Sequence, residues 1–123
     1  MDGIVAESVY ANMGMDAETM VKKLFGLGNP LLLRFLNAQI RQKLGFLPES
    51  VDLTAAAANC TVPALLVWGE DDGFLDPQLT LQVGDAWKGE HRSIGLTGGH
   101  RLLWAESGEE YRAALAEFLE TVA

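Results

Sequence analysis

Pro63-Ala64-Leu65-Leu66-Val67-Trp68-Gly69-Glu70-Asp71-Asp72-Gly73 decides how this chain is read. Its first part is a short, continuous apolar run bounded by Pro63 and Gly69, with none of the alternation of a half-buried strand. Such a run reads as a strand buried on both faces, the environment of a parallel sheet covered by helices. It breaks into Glu70-Asp71-Asp72-Gly73, which puts carboxylates on the loop that follows the strand. A second run, His91-Arg92-Ser93-Ile94-Gly95-Leu96, breaks at Thr97-Gly98-Gly99 into His100. Between the two, residues 77–86 carry Leu79, Val83 and Ala86 at helical spacing. From about residue 108 to 122 a last helix is predicted, with Tyr111, Leu115, Phe118, Leu119 and Val122 at three- and four-residue steps. The order strand–helix–strand–helix is a βαβ unit with a closing helix, so the predicted fold class is α/β with two parallel strands.

Upstream, residues 1–58 read as helical. Asp16-Ala17-Glu18 opens a run through Met20, Val21, Leu24 and Phe25 that Gly26-Leu27-Gly28 stops. Asn29-Pro30 pairs a favoured N-cap with a residue suited to the first helical position, and Leu32, Leu33, Phe35, Leu36, Ile40 and Leu44 follow as an apolar face up to Gly45. A short helix is expected from Ser50 or Asp52 through the four alanines ending at Ala58. The chain therefore divides into residues 1–58 and residues 59–123. Two parallel strands are few for a sheet covered on both sides, and an unpaired apolar edge along residues 64–68 invites pairing with another chain.

Composition narrows the function classes. Of 123 residues, 49% are apolar and 21% charged, the balance of a globular domain, and the net charge is -8. The charge is uneven: residues 1–48 hold four acids and five bases, residues 49–123 thirteen acids and four bases. An acidic second half lacks the clustered Lys and Arg that nucleic acid or an anionic membrane surface requires. The single cysteine, Cys60, cannot close an internal disulfide and is read as a small buried filler, with a reducing cytoplasm the expected compartment. Met1-Asp2-Gly3 does not read as the start of a signal peptide, and no apolar stretch approaches the roughly 20 residues that span a bilayer.

The chemistry is expected at the two strand tips, because ligands of open α/β sheets bind beyond the carboxyl ends of the strands. Asp72 would orient a histidine N–H, and the other ring nitrogen of His100 would act as general base and then acid, with Gly98 and Gly99 giving the loop its sharp turn. Asp71 is the rival for the acid. Asp76 is read as a helix N-cap before Pro77 and His91 as a surface residue. Asp71, Asp72 and Asp76 lack the alternating ligands and closing Glu of a calcium loop, so neither a metal nor a cofactor is expected.

These residues resemble the α/β-hydrolase fold family. The strand from Pro63 to Trp68 running into Gly69-Glu70-Asp71-Asp72 looks like the family's Gly-x-x-Asp segment, which carries its catalytic acid. Gly99-His100 looks like its histidine loop, and Glu117-Phe118-Leu119 resembles its C-terminal helix. Ala86-Trp87-Lys88-Gly89 and Gly99-His100-Arg101-Leu102-Leu103 are similar to a bacterial subgroup of these hydrolases. The likeness is strongest over residues 60–123; residues 1–58 resemble, more loosely, the helical cap inserted before the acid strand. The resemblance implies a serine-type hydrolase acting on an ester or other acyl substrate, with Asp72 and His100 as acid and base. The family's Gly-x-Ser-x-Gly nucleophile elbow is absent: Ser8, Ser50, Ser93 and Ser107 all stand in other contexts. The chain is thus expected to be the C-terminal portion of such an enzyme, inactive alone, its partner a missing N-terminal half or a second copy.

Two other readings compete. In one, the exposed strand edge makes the chain a non-catalytic interaction module. In the other, Asp72 and His100 do acid–base chemistry without a covalent step, as in an isomerase or lyase. Met13, Met15 and Met20 with Phe25 would line an apolar acyl pocket or pack in the core, and Leu31 to Leu33 are expected in the core.

Overall fold

In a computed structural model, which describes residues 2–26, 30–101 and 103–123, the chain builds a parallel sheet flanked by helices. The elements are β1 (Ile4–Glu7), α1 (Met13–Phe25), α2 (Pro30–Leu44), a 3-10 turn (Pro48–Ser50), α3 (Leu53–Ala57), β2 (Ala64–Gly69), α4 (Pro77–Ala86), β3 (His91–Leu96), α5 (Leu103–Glu106) and α6 (Gly108–Val122). The sheet has three strands in the order β1-β2-β3, all parallel, with Ile4 opposite Ala64 and Ala64 opposite His91.

The expectation of two strands, and of a first half that is helical throughout, is corrected by β1. It pairs with β2 along the edge that the sequence left open, so β2 is the central strand. That position accounts for the unbroken apolar run. Leu65 and Val67 pack on one face with Leu96, Leu103, Ala114 and Phe118, beneath α6. Ala64 and Leu66 pack on the other with Ala11, Ala57 and Val83, beneath α3 and α4. Alternate side chains of a strand point to opposite faces, and here both faces are dry.

Two side chains tie β1 and the residues just after it to the later part of the chain. Buried Thr80 on α4 accepts from the Val9 N–H at 3.0 Å and returns its hydroxyl to the Val9 carbonyl at 3.3 Å. On the other face, Tyr111 of α6 donates its phenol to Glu7 Oε2 at 2.8 Å. Burial, then that hydrogen bond and the repulsion of a phenolate by Glu7, push the Tyr111 hydroxyl up to about 12 from 10.0. The neutral phenol is the bound form, so its stabilisation is complete below pH 10 and is lost as pH rises through about 12. Tyr111→Phe is expected to cost about 1 kcal/mol at neutral pH and to flatten the fall in Tm between pH 10 and 12. Parallel falls for both chains would refute the assignment.

Helix boundaries show where capping was misread. Asn12 caps α1, accepting from Gly14 N and Met15 N. Asp16, read as the start of the helix, reaches back to accept from Ala11 N at 2.7 Å and Asn12 N at 2.8 Å. Gly26 ends the helix in the left-handed conformation, φ 70°. The Asn29 cap predicted for α2 lies outside the described residues. Asp52, not Ser50, caps α3 by accepting from Ala55 N. Asp76 caps α4 by accepting from Gln78 N.

Burial departs from expectation in the first half. Neither α1 nor α2 buries a residue; Phe25 is 70% and Leu31 75% exposed, and Met15, Leu32, Phe35 and Leu44 also face outward. Leu31 and Leu32, expected in the core, are therefore exposed, whereas Met13, Met20, Val21, Leu33 and Ile40 are half-buried. Cys60 is half-buried, not buried. Among those residues, no helix is long and apolar enough to cross a membrane.

Candidate active site

Beyond their paired ends, β2 and β3 run into two loops that lie against each other. Glu70 N donates to Leu96 O at 2.8 Å and Asp71 N to Gly98 O at 3.0 Å, carrying the ladder past the strands. The approach is so close that a Cβ on Gly69 would stand 2.3 Å from Gly98 O. Asp72 N then turns back to Gly69 O at 3.1 Å. On the histidine side, Gly98 takes φ 139°, a backbone setting that side chains rarely adopt. Glu106 of α5 accepts from Gly99 N at 2.8 Å, and Ser107 Oγ donates to Thr97 O. The histidine loop is thus clamped from both ends.

The clamp brings Asp72 and His100 together. Asp72 Oδ1 accepts from Phe74 N and Leu75 N, both at 2.9 Å, and Oδ2 lies 2.8 Å from His100 Nδ1. The Asp72 side chain is 1% exposed and that of His100 30%. A carboxylate only accepts, so Nδ1 carries the shared hydrogen, and in the neutral ring Nε2 keeps its lone pair. Among the described residues, Nε2 has no hydrogen-bond partner. Phe74 packs against the imidazole in a tilted arrangement, ring centroids 4.7 Å apart at 40°. Such an arrangement can take a proton on Nε2 and hold the resulting imidazolium beside a buried carboxylate.

The other candidates fall elsewhere. Asp71 is exposed and joins the site only through its backbone. His91 is exposed at the opposite end of β3, its Nδ1 3.1 Å from Gly89 O. Ser50 and Ser107 hydrogen-bond local carbonyls, and Ser93 packs against Gly84 of α4. Ser8, at φ 48° just after β1, has a buried hydroxyl with no hydrogen-bond partner. Among the described residues, no serine hydrogen-bonds His100. Phe74 and Glu106 were not anticipated. The Asp-Gly-Phe turn following the acid was a usable signal for Phe74; nothing in the sequence marks Glu106.

No family model matches this chain, and no curated protein matches it. Solved structures do. One is of BpoC from Mycobacterium tuberculosis, proposed to be a non-heme bromoperoxidase, at 16% identity and a TM-score of 0.63, covering 100% of this chain and 59% of that one. Another is of Rv0554 from the same organism, at 16% identity and a TM-score of 0.65, covering 100% of this chain and 58% of that one. This chain thus has the architecture of part of an α/β-hydrolase fold and spans less than three fifths of the length of the structures it matches.

Proposed function

We propose that this chain is the C-terminal portion of a serine-type α/β-hydrolase, supplying the acid Asp72 and the base His100 for cleavage of an ester or other acyl substrate. The observation that carries the reading is the 2.8 Å pair between Asp72 Oδ2 and His100 Nδ1 at the tips of adjacent parallel strands. In the working enzyme, His100 Nε2 takes the proton of a serine hydroxyl as its oxygen attacks the acyl carbon. Asp72 holds the imidazolium, which then protonates the leaving group. Water repeats the sequence on the acyl-enzyme. The serine comes from a segment that this chain does not contain. Two observations support such a segment: the outer edge of β1 pairs with no strand among the described residues, and the buried Ser8 hydroxyl beside it lacks a partner. The apolar surfaces of α1 and α2 would face an apolar part of the substrate or the same segment.

A fluorophosphonate serine probe tests this. The 123-residue chain alone is expected to remain unlabelled. The frame upstream of the Met1 codon is expected to encode Gly-x-Ser-x-Gly, and the longer chain to be labelled once per molecule at that serine. Stoichiometric labelling of the short chain, or an upstream frame closed by a stop codon, would overturn the proposal.

A further inference from the structure

We infer that Phe74 is a positioning residue for His100, fixing the tilt of the imidazole about its bond to Asp72. A single in-plane hydrogen bond to Asp72 fixes where Nδ1 lies but leaves the ring free to tilt about that bond. A second contact, ring against ring, removes this freedom. Phe74 supplies it: its ring meets the imidazole at 4.7 Å and 40°, within the range where aromatic rings attract. The placement of Phe74 is itself dictated by the acid, because its backbone N–H is donated to Asp72 Oδ1. One carboxylate therefore orients the base directly through Oδ2 and, through Oδ1, seats the side chain that packs against it.

Core packing does not account for this phenylalanine. It is 50% exposed, whereas the apolar residues that hold the sheet together, such as Leu65, Leu96 and Leu103, are fully or almost fully buried. The inference rests on reading His100 as the base, and its test requires no turnover.

The experiment is long-range ¹H–¹⁵N correlation on the full chain with ¹⁵N-labelled imidazoles, recorded above the pH at which the rings titrate. The unmodified chain is expected to show His100 as a single Nδ1–H tautomer with ring protons shifted upfield by Phe74. Phe74→Ala is expected to abolish that shift and to move the His100 ring-nitrogen signals as the Nδ1–Oδ2 bond loosens. The His91 signals at the far end of β3 should stay in place. Phe74→Tyr is expected to restore both features. A Phe74→Ala chain whose His100 nitrogens keep their original shifts would overturn the inference. Should that variant fail to fold, Phe74→Leu and Phe74→Tyr decide it: a difference in the His100 ring-nitrogen shifts supports the role, and identical spectra refute it. An unlabelled longer chain that still gave Phe74-dependent His100 shifts would remove the hydrolase reading and leave this one standing.

Discussion

Replacing His100 with alanine in the longer, serine-bearing chain is expected to lower kcat for ester hydrolysis by about 10⁴- to 10⁶-fold, the range seen when the base of a serine–histidine–acid site is removed. Asp72→Asn is the more instructive change. Asp72 Oδ1 accepts from the N–H groups of Phe74 and Leu75, so the oxygen of an asparagine amide must take that side. Its NH₂ then faces His100 Nδ1, where a carboxylate oxygen stood at 2.8 Å. Nδ1 becomes the acceptor, the hydrogen moves to Nε2, and Nε2 can no longer receive the serine proton. A fall in kcat of about 10⁴-fold is expected, with Tm little changed because the turn is kept. Comparable activity in Asp72→Asn would show that His100 does not work through this partner.

Gly69→Ala should cause the largest loss of stability of any single-atom addition in the site. Its Cβ would meet the carbonyl oxygens of Gly98 at 2.3 Å and Gly99 at 2.6 Å, both backbone atoms that cannot swing aside. The acid and histidine loops must separate or β2 must bend, at a cost of roughly 3 kcal/mol. A domain of this size has a total stability on the order of 10 kcal/mol. Gly73→Ala, four residues further along the same loop, meets nothing within 4 Å and is the control, with a change within about 0.5 kcal/mol. Urea unfolding measures both; equal midpoints would show that the loops are not interlocked. His100 in Gly69→Ala should also lose its Nδ1–H tautomer even where the protein remains folded.

The legible parts of the fold are those where local pattern and tertiary burial agree. The bounds of α4, β3 and α6 match the sequence reading, and β2 differs only by including Gly69, because strand length, turn residues and helical spacing all point the same way there. β1 was not legible: Ile4-Val5-Ala6-Glu7 is four residues long, ends in a charge that its own pattern does not explain, and becomes a strand because β2 offers it an edge. The apolar periodicity of α1 and α2 was legible, but periodicity reports which face is apolar, not what covers it. At the site, Asp72 and His100 stood out because each follows a strand tip. The choice between Asp71 and Asp72 lay in a turn geometry that adjacent identical residues cannot reveal. Asp72 points inward because its carboxylate closes the turn onto Phe74 and Leu75, leaving Asp71 in solvent. Glu106 acts on the histidine loop from a four-residue helix with no periodicity to read.

The register that sets Ile4 beside Ala64 also bears on the order of assembly. A ribosome releases β1 long before β2 has been translated, so that strand must wait through three helices for its place beside β2. Closing so long a loop carries a larger entropic cost than joining β2 to β3 across α4. The nucleus is therefore expected in the later β–α–β segment, with the first strand annealing last and leaving first under denaturant.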